Sequence, residues 1–141
     1  MNKKRSYGIV PIARDREGRQ RFLLLRAFRN WDFPKGGPET DETPIMAAKR
    51  EMREETGIGD FEMPYGEICM DSEPYAGGKV ATYFIARVQL QKLSLPISEE
   101  LGKPEHHEYR WVSAEEAREL LPARLIPILN WAVQITKDRA G

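Results

Sequence analysis

The chain has one cysteine, Cys69, and two histidines, His106 and His107, in 141 residues. A lone thiol cannot close an internal disulfide and fits a reducing compartment. With no Cys/His cluster there is no zinc site, and adjacent histidines are poorly spaced as a ligand pair. Apolar runs of membrane-spanning length are also missing. The basic start Asn2-Lys3-Lys4-Arg5 is not followed by a long apolar stretch, so it reads as a frayed polar terminus and not a signal peptide. The expected localisation is cytoplasmic, without membrane association. Net charge is absent too, because 22 Lys plus Arg balance 22 Asp plus Glu. No stable nucleic-acid partner is therefore expected, since phosphate binding relies on an excess of Lys and Arg. The sequence shows no repeat and no low-complexity linker. Its length suits one domain, residues 1–141, burying one core, as a monomer or homodimer.

Apolar segments are present at strand and helix spacing. Ser6–Ala13 and Arg21–Arg26 read as strands of a hairpin about the turn Asp15-Arg16-Glu17-Gly18. Asn30–Gly37 reads as a loop. Tyr65–Asp71 and Lys79–Val88 read as strands joined by a Pro- and Gly-containing loop. Tyr83 and Phe84 alternate on the second of these, which puts one toward the core and one toward a cleft. Leu93–Lys103 is a polar loop and Tyr109–Val112 a short strand, with Trp111 expected in the core. Ser113-Ala114-Glu115-Glu116 resembles a capping box opening a helix to about Leu121, and Arg124–Lys137 is an apolar-periodic helix.

The most informative stretch runs from Gly36 to Ile58. Thr43 can cap a helix whose first residue is Pro44, and Gly57 supplies the stop. Between them lie strong helix formers. Residues three and four apart share a helix face, so Glu51, Glu54 and Glu55 point roughly one way and Ile45, Ala48 and Met52 another. Like charges at this spacing cost a few tenths of a kcal/mol per pair. A cation would offset that repulsion. The plainer reading is a solvated acidic face, with Arg50 and Arg53 as ion-pair partners.

The spacing around these glutamates decides between the two. Five residues separate Gly36 from Glu42, and seven more precede Arg50-Glu51-Met52-Arg53-Glu54-Glu55-Thr56-Gly57-Ile58. This matches G-x5-E-x7-R-E-U-x-E-E-x-G-U, with U a bulky aliphatic residue, and resembles the box of the Nudix hydrolases. That resemblance implies an α/β fold, an α/β/α sandwich with a mixed sheet and a loop–helix–loop catalytic motif. It implies cleavage of a phosphoanhydride bond in a nucleoside diphosphate-linked substrate. One to three ions would sit on Glu51, Glu54, Glu55 and Glu105, with Arg50 holding Glu42 or another carboxylate in place. Oxygen ligands select Mg2+ or Mn2+. Glu51 or Glu105 would be the general base.

Flanking residues narrow the class. Trp31-Asp32-Phe33-Pro34-Lys35-Gly36-Gly37 looks like the W-x-x-P-K-G of diadenosine polyphosphate hydrolases, and is close to the W-x-F-P-x-G-G of RNA pyrophosphohydrolases. Glu105-His106-His107-Glu108-Tyr109-Arg110-Trp111-Val112 resembles the E-H-x-x-Y-R-W of the former group, and Lys79 with Tyr83 its K-x-x-x-Y strand. The expected substrate-binding residues are Lys35, Gly36, Gly37, Lys79 and Tyr83, with Tyr75 or Tyr83 as aromatics able to stack on a base. Gly37, Asp41 and Asn30 depart from the group, which often has His, Gly and His there. Three readings follow. One is hydrolysis of diadenosine tetraphosphate to ATP and AMP. The second is another Nudix substrate: 5′-triphosphate RNA, a nucleoside diphosphate sugar or a nucleoside triphosphate. The third is a non-catalytic nucleotide-binding module. Arg14, Arg16, Arg19, Arg21, Arg26 and Arg29 form either a basic patch for RNA or a solvated hairpin.

Overall fold

The hairpin at the start of the chain carries the sheet. In the computed structural model, which describes residues 5–137, strand β1 is Arg5–Arg14 and β2 is Gln20–Ala27. Of the expected frayed start Asn2-Lys3-Lys4-Arg5, the first three residues lie outside the described residues, while Arg5 is not frayed but opens β1, its guanidinium donating to the Thr82 hydroxyl at 2.7 Å. Asp15 closes the turn by accepting the N–H groups of Glu17 and Arg19, each at 2.9 Å. Gly18, at φ 80, supplies the left-handed residue that a side chain would strain.

β1 and β2 pair only near the turn, from Ile12↔Phe22 to Arg14↔Gln20. Beyond it β2 turns to pair with β3 (Asn30–Asp32) and with β7 (Glu108–Val112). The edge of β1 that β2 leaves is taken by β4 (Lys35–Gly36), through Tyr7↔Gly36 and Gly8↔Lys35. Asn30–Gly37 is thus not the expected simple loop, because its first part folds back onto β2 as a tight hairpin and its last part is captured by β1, which it does not neighbour in sequence. The other edge of β1 pairs in parallel with β6 (Val80–Arg87) over eight residues, from Arg5↔Val80 to Ile12↔Arg87. Outermost is β5 (Cys69–Asp71). β5 is shorter than the expected Tyr65–Asp71 strand. Gly66 at φ 60 turns the chain, and the N–H groups of Gly66 and Ile68 bond back to Met63 and Tyr65.

Strand alternation divides the apolar residues between two faces. Val10, Phe22, Leu24 and Ile85 face a layer of helix α2 (Ala114–Leu120), a 3-10 turn (Ala123–Leu125) and helix α3 (Ile126–Lys137). Ile9, Leu23 and Ala86 face helix α1 (Pro44–Thr56) through its Ala48 and Met52. Each fully buried large aliphatic or Phe side chain stabilises by about 1.5–3 kcal/mol. The result is the expected α/β/α sandwich around a mixed sheet. Tyr83 and Phe84 alternate as expected, yet each fills a core, at 0% and 3% exposure. With helices on both faces, the strand has no free side to turn toward a cleft. Trp111 is only half-buried, at the margin of the α1 core, where its indole N–H donates to the Gln91 carbonyl at 2.8 Å. The final helix begins at Ile126, later than Arg124, because Pro122 precedes a 3-10 turn. No helix among the described residues is long and apolar enough to cross a membrane.

Candidate active site

Local capping and close packing place the box. The Thr43 hydroxyl accepts the Met46 N–H, and Gly57 at φ 79 sends its N–H to the Arg53 carbonyl. α1 therefore starts and stops where its caps dictate. Its glutamates then diverge with helical rotation. Glu55 is buried, Glu51 is mostly covered, and Glu54 has 56% of its side chain exposed. Glu51 and Glu55, one turn apart, are in hydrogen-bond contact, and Glu55 Oε1 accepts the Lys35 backbone N–H at 3.2 Å. The segment leading into the box is pressed onto this pair. A Cβ at Gly36 would overlap the Glu51 carboxylate, and one at Gly8 would lie 2.6 Å from the Lys35 Cβ.

Burial pushes the Glu51 carboxyl up, with Arg50 pulling the other way. Burial pushes Glu55 much further, reinforced by the negative charges of Glu105 and Glu51. Glu105 lies on an exposed loop, near enough for its charge to act on Glu55. Arg50 ties the remaining acids together. It grips Glu42 at two points, 2.7 and 3.1 Å, and reaches Glu51 at 3.2 Å, Glu54 at 3.1 Å and the Gly37 carbonyl at 2.9 Å. The Arg50 guanidinium and the Glu39 N–H hold Glu42 below the usual carboxylate range.

A second knot lies beside the first, around Asp32. Its carboxylate accepts the Tyr83 hydroxyl at 2.8 Å and the Phe33 N–H at 2.6 Å. The Arg124 Nη2 bonds it at 3.3 Å and the Lys35 ammonium approaches to 3.4 Å. Burial pushes the Lys35 ammonium down, but the charge of Asp32 and its other neighbours leaves it raised on balance. The Arg124 guanidinium lies 3.8 Å from the Tyr75 ring centroid, and the Lys35 ammonium 5.9 Å from it. His106 joins the knots, with its Nε2 4.0 Å from Glu55 Oε1. Burial pushes its imidazole below the ordinary value.

The structure brings Lys35, Gly36, Glu51, Glu55 and Arg50 together, with Gly37 bound to Arg50. Glu54 and Glu105 border the group. Lys79 is exposed, and its backbone pairs in both directions with Tyr75 at 2.9 and 2.8 Å, at the base of the loop. Tyr83 offers no face for stacking, because its buried ring packs edge-on against Phe33 at 5.7 Å. Sequence reasoning passed over three residues: Asp32, His106 and Arg124. Asp32 had a local signal in its i,i+3 spacing from Lys35, and His106 one as the His of the E-H-x-x-Y-R-W resemblance, whereas Arg124 had none. A groove of about 1210 Å³ elsewhere holds none of these residues and is lined by Arg14, Arg16, Phe61, Arg87 and Leu90, among others.

No three His, Cys, Asp or Glu side chains among the described residues are closed into a cage. The donor set nevertheless fits a hard cation. Glu51 and Glu55 are oxygen donors in contact, both raised, with further carboxylates at their margin. Arg50 offsets Glu51, but it is already shared among four acids and a carbonyl, while Glu55 has the charge and the backbone N–H of Lys35 beside it.

A family model described as the NUDIX domain matches residues 2–132. The chain belongs to the Nudix hydrolase family. Members of this family generally use divalent metals and act on small nucleotide substrates. An RNA pyrophosphohydrolase of Xanthomonas campestris is 30% identical over 118 residues, covering 73% of this chain and 57% of that protein. The chain thus spans little more than half the length of this relative. A mouse asymmetrical bis(5′-nucleosyl)-tetraphosphatase is 33% identical over 105 residues, covering 70% of this chain and 68% of that protein. A C. elegans Ap4A hydrolase, solved as a binary complex, superposes with TM-score 0.78 at 22% identity. That match covers 94% of this chain and 98% of the other, and shows the shared fold.

Proposed function

We propose that this Nudix domain, acting as one unit over residues 1–141, hydrolyses a phosphoanhydride bond, with diadenosine tetraphosphate as the substrate and ATP and AMP as products. The observation that carries this reading is the Glu51–Glu55 pair set against Lys35 and Asp32. Carboxylates to take a cation and an ammonium to take a phosphate stand side by side.

Glu51, Glu54, Glu55 and Glu105 would hold Mg2+ or Mn2+, which supplies charge neutralisation and a lowered water pKa when bound. The chain itself does the rest. Lys35 orients the phosphate chain by its ammonium charge. Arg50 keeps Glu42, Glu51 and Glu54 in register. Glu51 or Glu105 takes the proton from the attacking water. The buried half of the site excludes solvent, which strengthens each of these charge contacts. The free thiol of Cys69 fits a cytoplasmic protein, working as a monomer or homodimer.

The hairpin arginines favour a small substrate over RNA. Arg19 pairs with Glu17 and Asp15, Arg21 with Asp15, and Arg26 with Glu108. Arg14 donates to the Gly18 carbonyl. Three of the six arginines are thus paired with acids, which weakens a basic track along the hairpin.

Product analysis with Mg2+ tests the reading, on diadenosine tetraphosphate, ADP-ribose, dGTP and a short 5′-triphosphate RNA, with Glu54→Gln as control. Fast release of ATP plus AMP, lost in the variant, is expected. Preference for the RNA or the sugar nucleotide would replace the substrate assignment. No turnover of any substrate would leave a binding module.

A further inference from the structure

The Asp32 knot holds more positive charge than its carboxylate can use. Lys35 and Arg124 both converge on Asp32, at 3.4 and 3.3 Å. Among the described residues neither has another acid within ion-pair distance. Two cations therefore share the one carboxylate there, with Glu55 of helix α1 acting on Lys35 from further off. Arg124 carries a second mark. Its Nη2 is bonded to Asp32, while its Nη1 is buried without a hydrogen-bond partner among the described residues. A buried donor left unmet is costly and rare, and calls for an acceptor that arrives later. The guanidinium is not loose. Stacking on Tyr75 at 3.8 Å and bonding to Asp32 fix its plane, so its fork is set before any ligand binds.

We propose that Arg124 is a substrate-binding residue which, together with Lys35, takes an oxygen of an oligophosphate at the Asp32 end of the site. The inference rests on the phosphoanhydride reading above and extends it to a residue outside the box and its flanking motifs. Asp32 acts as a positioning residue, holding both cations and leaving each a free donor. Oligophosphate is the chemical class, because a fixed planar fork beside an ammonium matches neighbouring phosphate oxygens.

Titration calorimetry with tripolyphosphate in excess Mg2+ tests it, alongside KM and kcat for diadenosine tetraphosphate. Arg124→Gln should weaken tripolyphosphate binding roughly tenfold to a hundredfold, the scale of one hydrogen bond to a charged group. KM should rise in parallel and kcat fall less. Should Arg124→Gln not fold, Arg124→Lys replaces it. Its single-point ammonium should weaken binding severalfold, and unchanged affinity would overturn the proposal. Arg124→Gln binding tripolyphosphate as wild type does, with only a lower unfolding temperature, would reduce Arg124 to an anchor for Asp32 and Tyr75. That result leaves the hydrolase reading intact. Wild type that neither binds tripolyphosphate nor turns over any nucleotide overturns both.

Discussion

The carboxylate of Glu51 occupies the space that a side chain at Gly36 would fill. Glycine at that position is a condition for Glu51 to lie where it does. Gly36→Ala should expel Glu51 from its place beside Glu55 while leaving the fold, because a side-chain carboxyl yields before backbone does. A misplacement near 1 Å can cost about a hundredfold in rate, so kcat should fall on that scale with a small change in unfolding temperature. Gly59→Ala, where an added Cβ meets nothing within 4 Å, is the matched control. Equal activity in the two variants would refute the packing argument.

Arg50 and lysine are not interchangeable here. Only a planar fork grips both Glu42 oxygens while reaching Glu51, Glu54 and the Gly37 carbonyl. Arg50→Lys should weaken Mn2+ binding roughly tenfold to a hundredfold, the usual effect of losing a group that orients ligands. A titration showing wild-type affinity would remove Arg50 from that role.

The raised carboxyls set the sign of a pH effect. A carboxyl whose folded value lies above its unfolded one binds its proton more tightly in the folded state. Glu51 and Glu55 thus support the metal-free fold at low pH, below the unfolded carboxylate range of about 4.3. That support is lost as pH rises through their raised folded values. A divalent cation favours the ionised pair and displaces its protons. The rise in unfolding temperature on adding Mg2+ should therefore grow between about pH 5 and pH 8. A shift that is constant with pH would show that these groups do not bind the cation.

Tyr83→Phe separates a core residue from a ligand-binding one. Asp32 would lose one donor and keep the Phe33 N–H, Lys35 and Arg124. Stability should drop by about 1 kcal/mol, with KM almost unchanged. A large rise in KM would return Tyr83 to the substrate.

What the sequence disclosed was what is locally determined. The limits of α1 depend on Thr43, Pro44 and Gly57, all beside the helix they bound. The two-faced sheet follows from alternation along β1, β2 and β6. The capture of Lys35 and Gly36 by β1 was not legible, because it depends on β2 having turned away from that edge. The Asp32 knot was hidden for a similar reason. Arg124 is 92 residues from Asp32 and Tyr83 is 51, and no spacing rule spans such intervals. Arg124 also read as the first residue of an apolar helix, where a basic side chain draws no notice.

The parallel pairing of β1 with β6 has a kinetic consequence. Arg5 meets Val80 and Ile12 meets Arg87, so the central ladder closes a loop of about 75 residues. Loop-closure entropy must be met before those contacts form, which makes such topologies slow folders. On a growing chain, helix α1 is synthesised whole before β6 exists. Its apolar face, Ala48 and Met52, must wait for Phe84 and Ala86 to complete the surface that covers it. Until β6 arrives, the acidic face of the same helix keeps the nascent segment hydrated.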